Sequence, residues 1–176
     1  MQKSIAAVAA LAGALALLAG PVQAGAAPDD AQIAAIVVTA NQVDIDAGKL
    51  ASGKAASPEV RKFAEQMVTD HTAVNTQATN LVTRLQVTPQ GSATSESLAQ
   101  GGTRNLAALG RLDGPAFDRA YVDHEVAYHE QVIEALDTTL IPNARNDELK
   151  KLLVQVRPAF VAHLQHARHL QAELKP

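Results

Sequence analysis

Four stretches of this chain repeat their apolar residues at the three-to-four-residue spacing of one buried helix face. The first predicted helix runs from about Asp29 to Ala55, with Ile33, Val37, Ala40, Ala47, Gly48 and Ala51 in one stripe. Its leading acids suit a helix N-terminus. The second opens at Ser57-Pro58-Glu59, a capping serine with proline at the first helical position, and continues to about Val87. Its stripe is Val60, Ala64, Met67, Val68, Val74, Ala78, Val82 and Leu85. The third runs from near Gly114-Pro115 to about Leu140, where Ile141-Pro142-Asn143 ends it. The fourth starts near Asn146-Asp147-Glu148 and reaches the C-terminus, with Pro158 expected to kink it.

The connections constrain the topology. Only a few residues join the first helix to the second and the third to the fourth, so each pair reads as an antiparallel hairpin. Between the hairpins lies the stretch Gln90 to Gly114, with a short helical piece expected from Ser95 to Leu109. That length permits a crossover back along the bundle as well as a simple up-down arrangement.

Few polar residues interrupt the stripes. His71 lies at the centre of the second and His163 at the centre of the fourth. In the third, His129 falls among Val122, Val126, Ile133 and Leu136, with Glu125 one turn earlier. The first carries Asp44, with Asn41 at its edge. Counting from the turns makes Asp44 level with His71 and sets Glu125 opposite His163. Two readings compete. These groups are hydrogen-bonded polar residues that fix the helix register, or imidazoles and carboxylates from four helices converge on one transition-metal ion. On the second reading Asp44, His71, Glu125, His129 and His163 are the ligands, and Fe, Mn, Cu, Ni and Zn all remain candidates. Ordinary imidazoles, with pKa near 6.5, would make such loading fade below about pH 6. Asp70, beside His71, is either a solvated acid or a carboxylate that orients a histidine. His124, His166 and His169 fall at stripe edges or outside them.

Composition narrows the compartment and the chemistry. Lys3 is followed by an apolar run from Ile5 to Gly20, then Pro21 and Val22-Gln23-Ala24. That is the pattern of a cleaved secretory signal over residues 1–24, leaving one helical domain over 25–176 in the periplasm. The run of about 16 residues is short for a bilayer span of roughly 20, and no later segment is apolar enough to span a membrane. There is no Cys, hence no disulfide and no lipid-anchored cysteine, and no Trp. The core must be aliphatic. A net charge of −3 without a basic run argues against nucleic acid. No Ser-His-Asp order or phosphate-cradling glycine loop appears, so hydrolase and nucleotide chemistry lack support.

The segments Gly48-Lys49-Leu50-Ala51, Val60 to His71, Phe117 to Val122 leading to His129, and His163-Leu164 with Ala167 carry a family resemblance. The chain resembles the bacterial exported domain-of-unknown-function proteins of the ferritin-like superfamily, often called "putative outer membrane protein". The resemblance implies an all-α fold: a ferritin-like four-helix bundle of two antiparallel hairpins, with a long crossover carrying a short extra helix. It supplies no activity. The superfamily's di-iron pattern needs Glu three residues before two of its histidines, and Val68 and Phe160 occupy those places before His71 and His163. That counts against catalysis. The expectation is therefore an exported bundle protein without demonstrated enzymatic activity, with one transition-metal ion in its core. The alternatives are a metal-dependent redox or stress-protective enzyme and a cofactor-free structural protein of the envelope. An envelope protein or a second copy of the chain is the partner either reading allows.

Overall fold

A computed structural model describes residues 27–174. The expected signal segment and the cleavage after Ala24 lie outside the described residues. Helix α1 is Asp30–Lys54. Asp29 caps it by accepting the Gln32 N–H at 2.9 Å, while the Gln32 side chain accepts the Asp29 N–H at 3.1 Å. Helix α2, Pro58–Arg84, is capped by the Ser57 hydroxyl. It ends three residues short of Val87, where Gln86 takes a positive φ of 54° and turns the chain. Helix α3, Ala93–Leu109, is the expected crossover piece, begun by a Ser92/Ser95 capping box. Helix α4, Gly114–Ala135, runs into a π-helical segment, Leu136–Leu140, and a last turn α5, Ile141–Asn143. Pro142 has no N–H for the carbonyl four residues back, and the preceding turn widens so that Ile141 N–H bonds the Leu136 carbonyl. Helix α6, Asp147–Glu173, starts from the Asn146 cap and passes through Pro158 without ending. That proline lies on the exposed face.

Cross-helix contacts fix the directions. Phe63 faces Tyr121, and eight residues further along both helices His71 faces His129, so α2 and α4 run parallel. Arg84 pairs with Glu148 near one end of α2 and Phe63 with His166 near the other, so α6 is antiparallel to α2. The chain between α2 and α4 therefore returns along the bundle, with α3 packed on α1. A Cβ on Gly102 of α3 would come within 2.8 Å of Val43, so glycine is what allows that approach. The two-hairpin, one-crossover bundle is the architecture the sequence led us to expect.

The aliphatic core is in two parts. One contains Ala47, Ala51, Phe63, Met67, Phe117, Tyr121 and Leu170. The other contains Ile33, Val37, Val74, Leu136, Leu153 and Phe160. Complete burial of a side chain such as Phe63 or Leu153 contributes about 1.5–3 kcal/mol. On α1, α2 and α6 the sequence between the two clusters holds Asn41 and Asp44, His71, and His163, and on α4 Glu125 and His129 flank Val126 at the edge of the first, so a polar layer crosses the middle of the bundle.

Candidate metal centre

Asp44, His71, Glu125, His129 and His163 all lie in that layer, none more than 2 % exposed. Each stands at the centre of its helix's apolar stripe, so the packing that buries the stripe carries it inward. His71 Nε2 lies 3.2 Å from Asp44 Oδ2, and His129 Nε2 lies 3.7 Å from the same oxygen. The His71 contact is short enough for an ion pair but is misaligned for a hydrogen bond, and Nε2 has no hydrogen-bonding partner. His71, His129 and His163 can each offer a ligand atom within 4.8 Å of the others, and so can Asp44, Glu125 and His129.

The hydrogen bonds at the back of each ring decide its tautomer. Asn41 uses its amide N–H to donate to the Val37 carbonyl at 2.8 Å, which leaves its Oδ1 as an acceptor 2.7 Å from His71 Nδ1. His71 therefore carries its proton on Nδ1. His129 Nδ1 is 3.0 Å from the Glu125 backbone carbonyl, an acceptor only, so it too is protonated there. His163 donates from Nε2 to Asp70 Oδ2 at 2.9 Å. What remains is one lone-pair nitrogen on each ring: His71 Nε2, His129 Nε2 and His163 Nδ1. All three are buried without a hydrogen-bonding partner, as are Asp44 Oδ1 and both Glu125 carboxylate oxygens. So many orphaned acceptors in one layer is unusual, since buried polar atoms are ordinarily satisfied.

Burial sets the charge state. It pushes Asp44 up to about 7, partly offset by the nearby Glu125 carboxyl. Burial, then the neighbouring Asp44, holds Glu125 well above the carboxylate range. Burial and the other histidines push His71 down to about 2 and His129 to about 4. Burial also lowers His163, against the opposing pull of Asp70. The layer is thus close to neutral: free-base imidazoles and carboxyls that hold their protons.

Some placements differ from the sequence reading. Glu125 does not face His163; it lies with Asp44 and His129, and His163 meets Asp70 instead. The turn is centred on Asn146, the cap of α6, rather than on Asn143, which brings His163 level with His129. Asp70 orients His163, not its chain neighbour, and its side chain is 41 % exposed. Asn41 was legible only as an edge residue of the stripe, yet it sets the His71 tautomer. Tyr121 reads from the sequence as packing, but its buried hydroxyl approaches Glu125. His124 is half-buried against Tyr128, while His166 and His169 are exposed.

A family described as "Domain of unknown function (DUF4142)" matches residues 17–170. The chain belongs to that family. No curated protein matches it. One solved structure with a similar fold is described as "CopM in the Cu(II)-bound form"; it is 17 % identical, with a TM-score of 0.67, and the match covers 85 % of this chain and 99 % of that one. At that identity the likeness concerns the fold. Among the described residues no helix is long and apolar enough to cross a membrane.

Proposed function

We propose that this DUF4142 chain binds one divalent transition-metal ion in the middle of its bundle, through His71 Nε2, His129 Nε2, His163 Nδ1, Asp44 and Glu125. One observation carries the reading: three buried imidazoles are each anchored by one nitrogen to an oxygen acceptor and turn an unpartnered nitrogen inward. Metal-binding histidines are held in this way, the outer hydrogen bond fixing tautomer and aim. A register-fixing polar layer would instead satisfy its own acceptors.

The donor set is nitrogen and carboxylate oxygen with no thiolate, which suits a divalent ion over Cu(I). Among first-row divalent ions such sites bind Cu(II) most tightly, and the similar fold described above is a Cu(II)-bound form. Copper(II) is therefore the first ion to test. The same proposal places the working protein in the periplasm after loss of residues 1–24, on the signal pattern around Lys3 to Ala24. Kinship with the ferritin-like superfamily is also part of it, supported by parallel α2 and α4 and the crossover between them.

The test is metal analysis of untagged protein purified from the periplasm, followed by titration of the chelated protein with Cu, Ni, Zn, Mn and Fe. One ion per chain is expected, lost on joint replacement His71→Leu and His163→Leu. Binding that survives that replacement, or no binding, overturns the proposal.

A further inference from the structure

A cavity of about 300 Å³ extends from the polar layer to the surface between α1, α3 and α4. Its lining runs from exposed Thr94 and Gln131 down to buried Asp44 and His71. The walls are mostly aliphatic, among them Val37, Leu98, Leu153 and Val156, with the Phe160 ring beside His71. The π-helical segment contributes Leu136, Thr139 and Leu140. Single π turns inside helices recur at functional sites, and this one forms part of the wall. A dry apolar cavity of about 150 Å³ is enough to hold benzene, so this one has room for a substituted ring or a short alkyl chain.

The floor sets the chemistry of the occupant. Asn41, Asp44, His71 and His129 line it, whereas Glu125 and His163 do not. Asp44 Oδ1, His71 Nε2 and His129 Nε2 are buried without partners. We propose that the cavity binds a small apolar alcohol or phenol, its hydroxyl set against Asp44, His71 and His129 and its hydrocarbon part against the aliphatic walls. In the metal-free chain His71 Nε2 and His129 Nε2 are acceptors, their protons being held on Nδ1 by Asn41 and the Glu125 carbonyl, so the occupant's head must donate. With an ion on the same atoms, the head must instead offer a lone pair. A hydroxyl does both. An ammonium serves only the first state, a carboxylate only the second, and a hydrocarbon neither. The metal-dependent half of this inference rests on the metal reading above; the metal-free half stands without it.

Calorimetric titration with 4-ethylphenol and with its methyl counterpart, 4-ethyltoluene, tests this on the metal-free and the zinc-loaded chain, zinc being redox-inert. One molecule of 4-ethylphenol per chain is expected, bound about tenfold tighter than the hydrocarbon, since only the hydroxyl satisfies a buried acceptor. Ala135→Phe, which fills the cavity from α4, should abolish binding while one zinc per chain is retained, the retained ion showing that the bundle has folded. Leu98→Trp blocks the same space from α3 and serves if the first variant does not fold. Failure of 4-ethylphenol to bind, equal binding of the hydrocarbon, or binding untouched by both filling variants overturns the inference. A chain that binds the phenol but no ion overturns the metal reading alone; one that binds zinc but no phenol overturns this one alone.

Discussion

Loading the bundle core with a divalent ion should release about one more proton per ion below pH 7 than above it. Burial raises Asp44 to about 7, so its proton is present below that pH and gone above it, while burial and the neighbouring Asp44 raise Glu125 well above its ordinary value. The imidazoles contribute none, because burial keeps His71 at about 2 and His129 at about 4, with His163 also lowered. Each displaced proton changes the apparent affinity about tenfold per pH unit. Between pH 8 and pH 6 the Asp44 proton should therefore lower affinity about tenfold, about 1.4 kcal/mol. For a chain of this size about 1 kcal/mol moves Tm by roughly 2–4 °C. At a fixed free-ion concentration well above Kd, the ion-induced rise in Tm should shrink by about 3–5 °C over that range. The metal-free baseline moves as well. Asp44, raised in the fold, costs stability as pH climbs from about 4 to about 7. The lowered histidines cost stability as pH falls below their unfolded value near 6.5. Melts with and without buffered ion separate the two, and calorimetry in buffers of different ionisation enthalpy counts the protons. Asp44→Asn should remove about one proton below pH 7. Flat loading from pH 7 to 8 with a three-proton loss below pH 6.5, the behaviour of ordinary imidazoles, would refute the reasoning.

Joint His71→Leu and His163→Leu replacement should abolish the ion-induced rise, while the metal-free chain sheds two orphaned acceptors but leaves buried Asn41 Oδ1 without its donor, a net cost of no more than about 1–3 kcal/mol; thermal melts with and without chelator read both. Asp70→Ala should weaken the ion about 10- to 100-fold by freeing the His163 ring, with little change in metal-free Tm because Asp70 is partly exposed; competition with a calibrated chelator measures it. Asp118→Ala should cost about 2 kcal/mol in urea unfolding, since its carboxylate accepts the Ala56 and Ser57 N–H groups where α2 begins. Gly48→Ala should cost about 1–3 kcal/mol by the same measure, because its Cβ would meet Val68 at 2.9 Å and the Ala64 carbonyl at 3.0 Å.

The bundle was legible because the apolar stripes are long, and because capping residues and prolines mark their ends. The five central polar residues were legible for the same reason, since a stripe with one polar member buries that member. The back of the site was harder to read. Asn41 sits at a stripe edge, and its role depends on an amide already committed to the Val37 carbonyl, a contact within α1 that periodicity does not encode. Asp70 could be read as orienting a histidine, but the choice of His163 over adjacent His71 depends on how α6 lies against α2. The Glu125–His163 pairing failed because counting from Asn143 overlooks that α6 is capped by Asn146. Ordinary imidazole titration was a reasonable reading of residue types alone; burial in the folded layer is what moves the pH dependence onto the carboxyls.

Charge and space together favour one ion over the pair that a carboxylate-bridged centre would hold. With both acids ionised and the imidazoles neutral, the layer carries two negative charges, which one divalent ion cancels. Below pH 7, where Asp44 is protonated, exchange of that ion for protons on the two acids keeps a layer no more than 2 % exposed neutral in either state, as a buried site requires. A second divalent ion would leave two positive charges uncompensated among aliphatic side chains, unless further carboxylates approached. The positions that could supply them hold Val68 and Phe160. Phe160 does more than fail to ligate: its ring lies parallel to His71, with 5.1 Å between centroids, and edge-on to His129 at 6.3 Å. An apolar ring thus lies beside the imidazoles on the side facing the cavity. Replacing both Val68 and Phe160 with Glu would add two carboxylates and the space of the Phe160 ring, and should raise the capacity from one ion per chain toward two; a stoichiometry that stays at one in a folded variant would show that charge and space at these positions do not set the count.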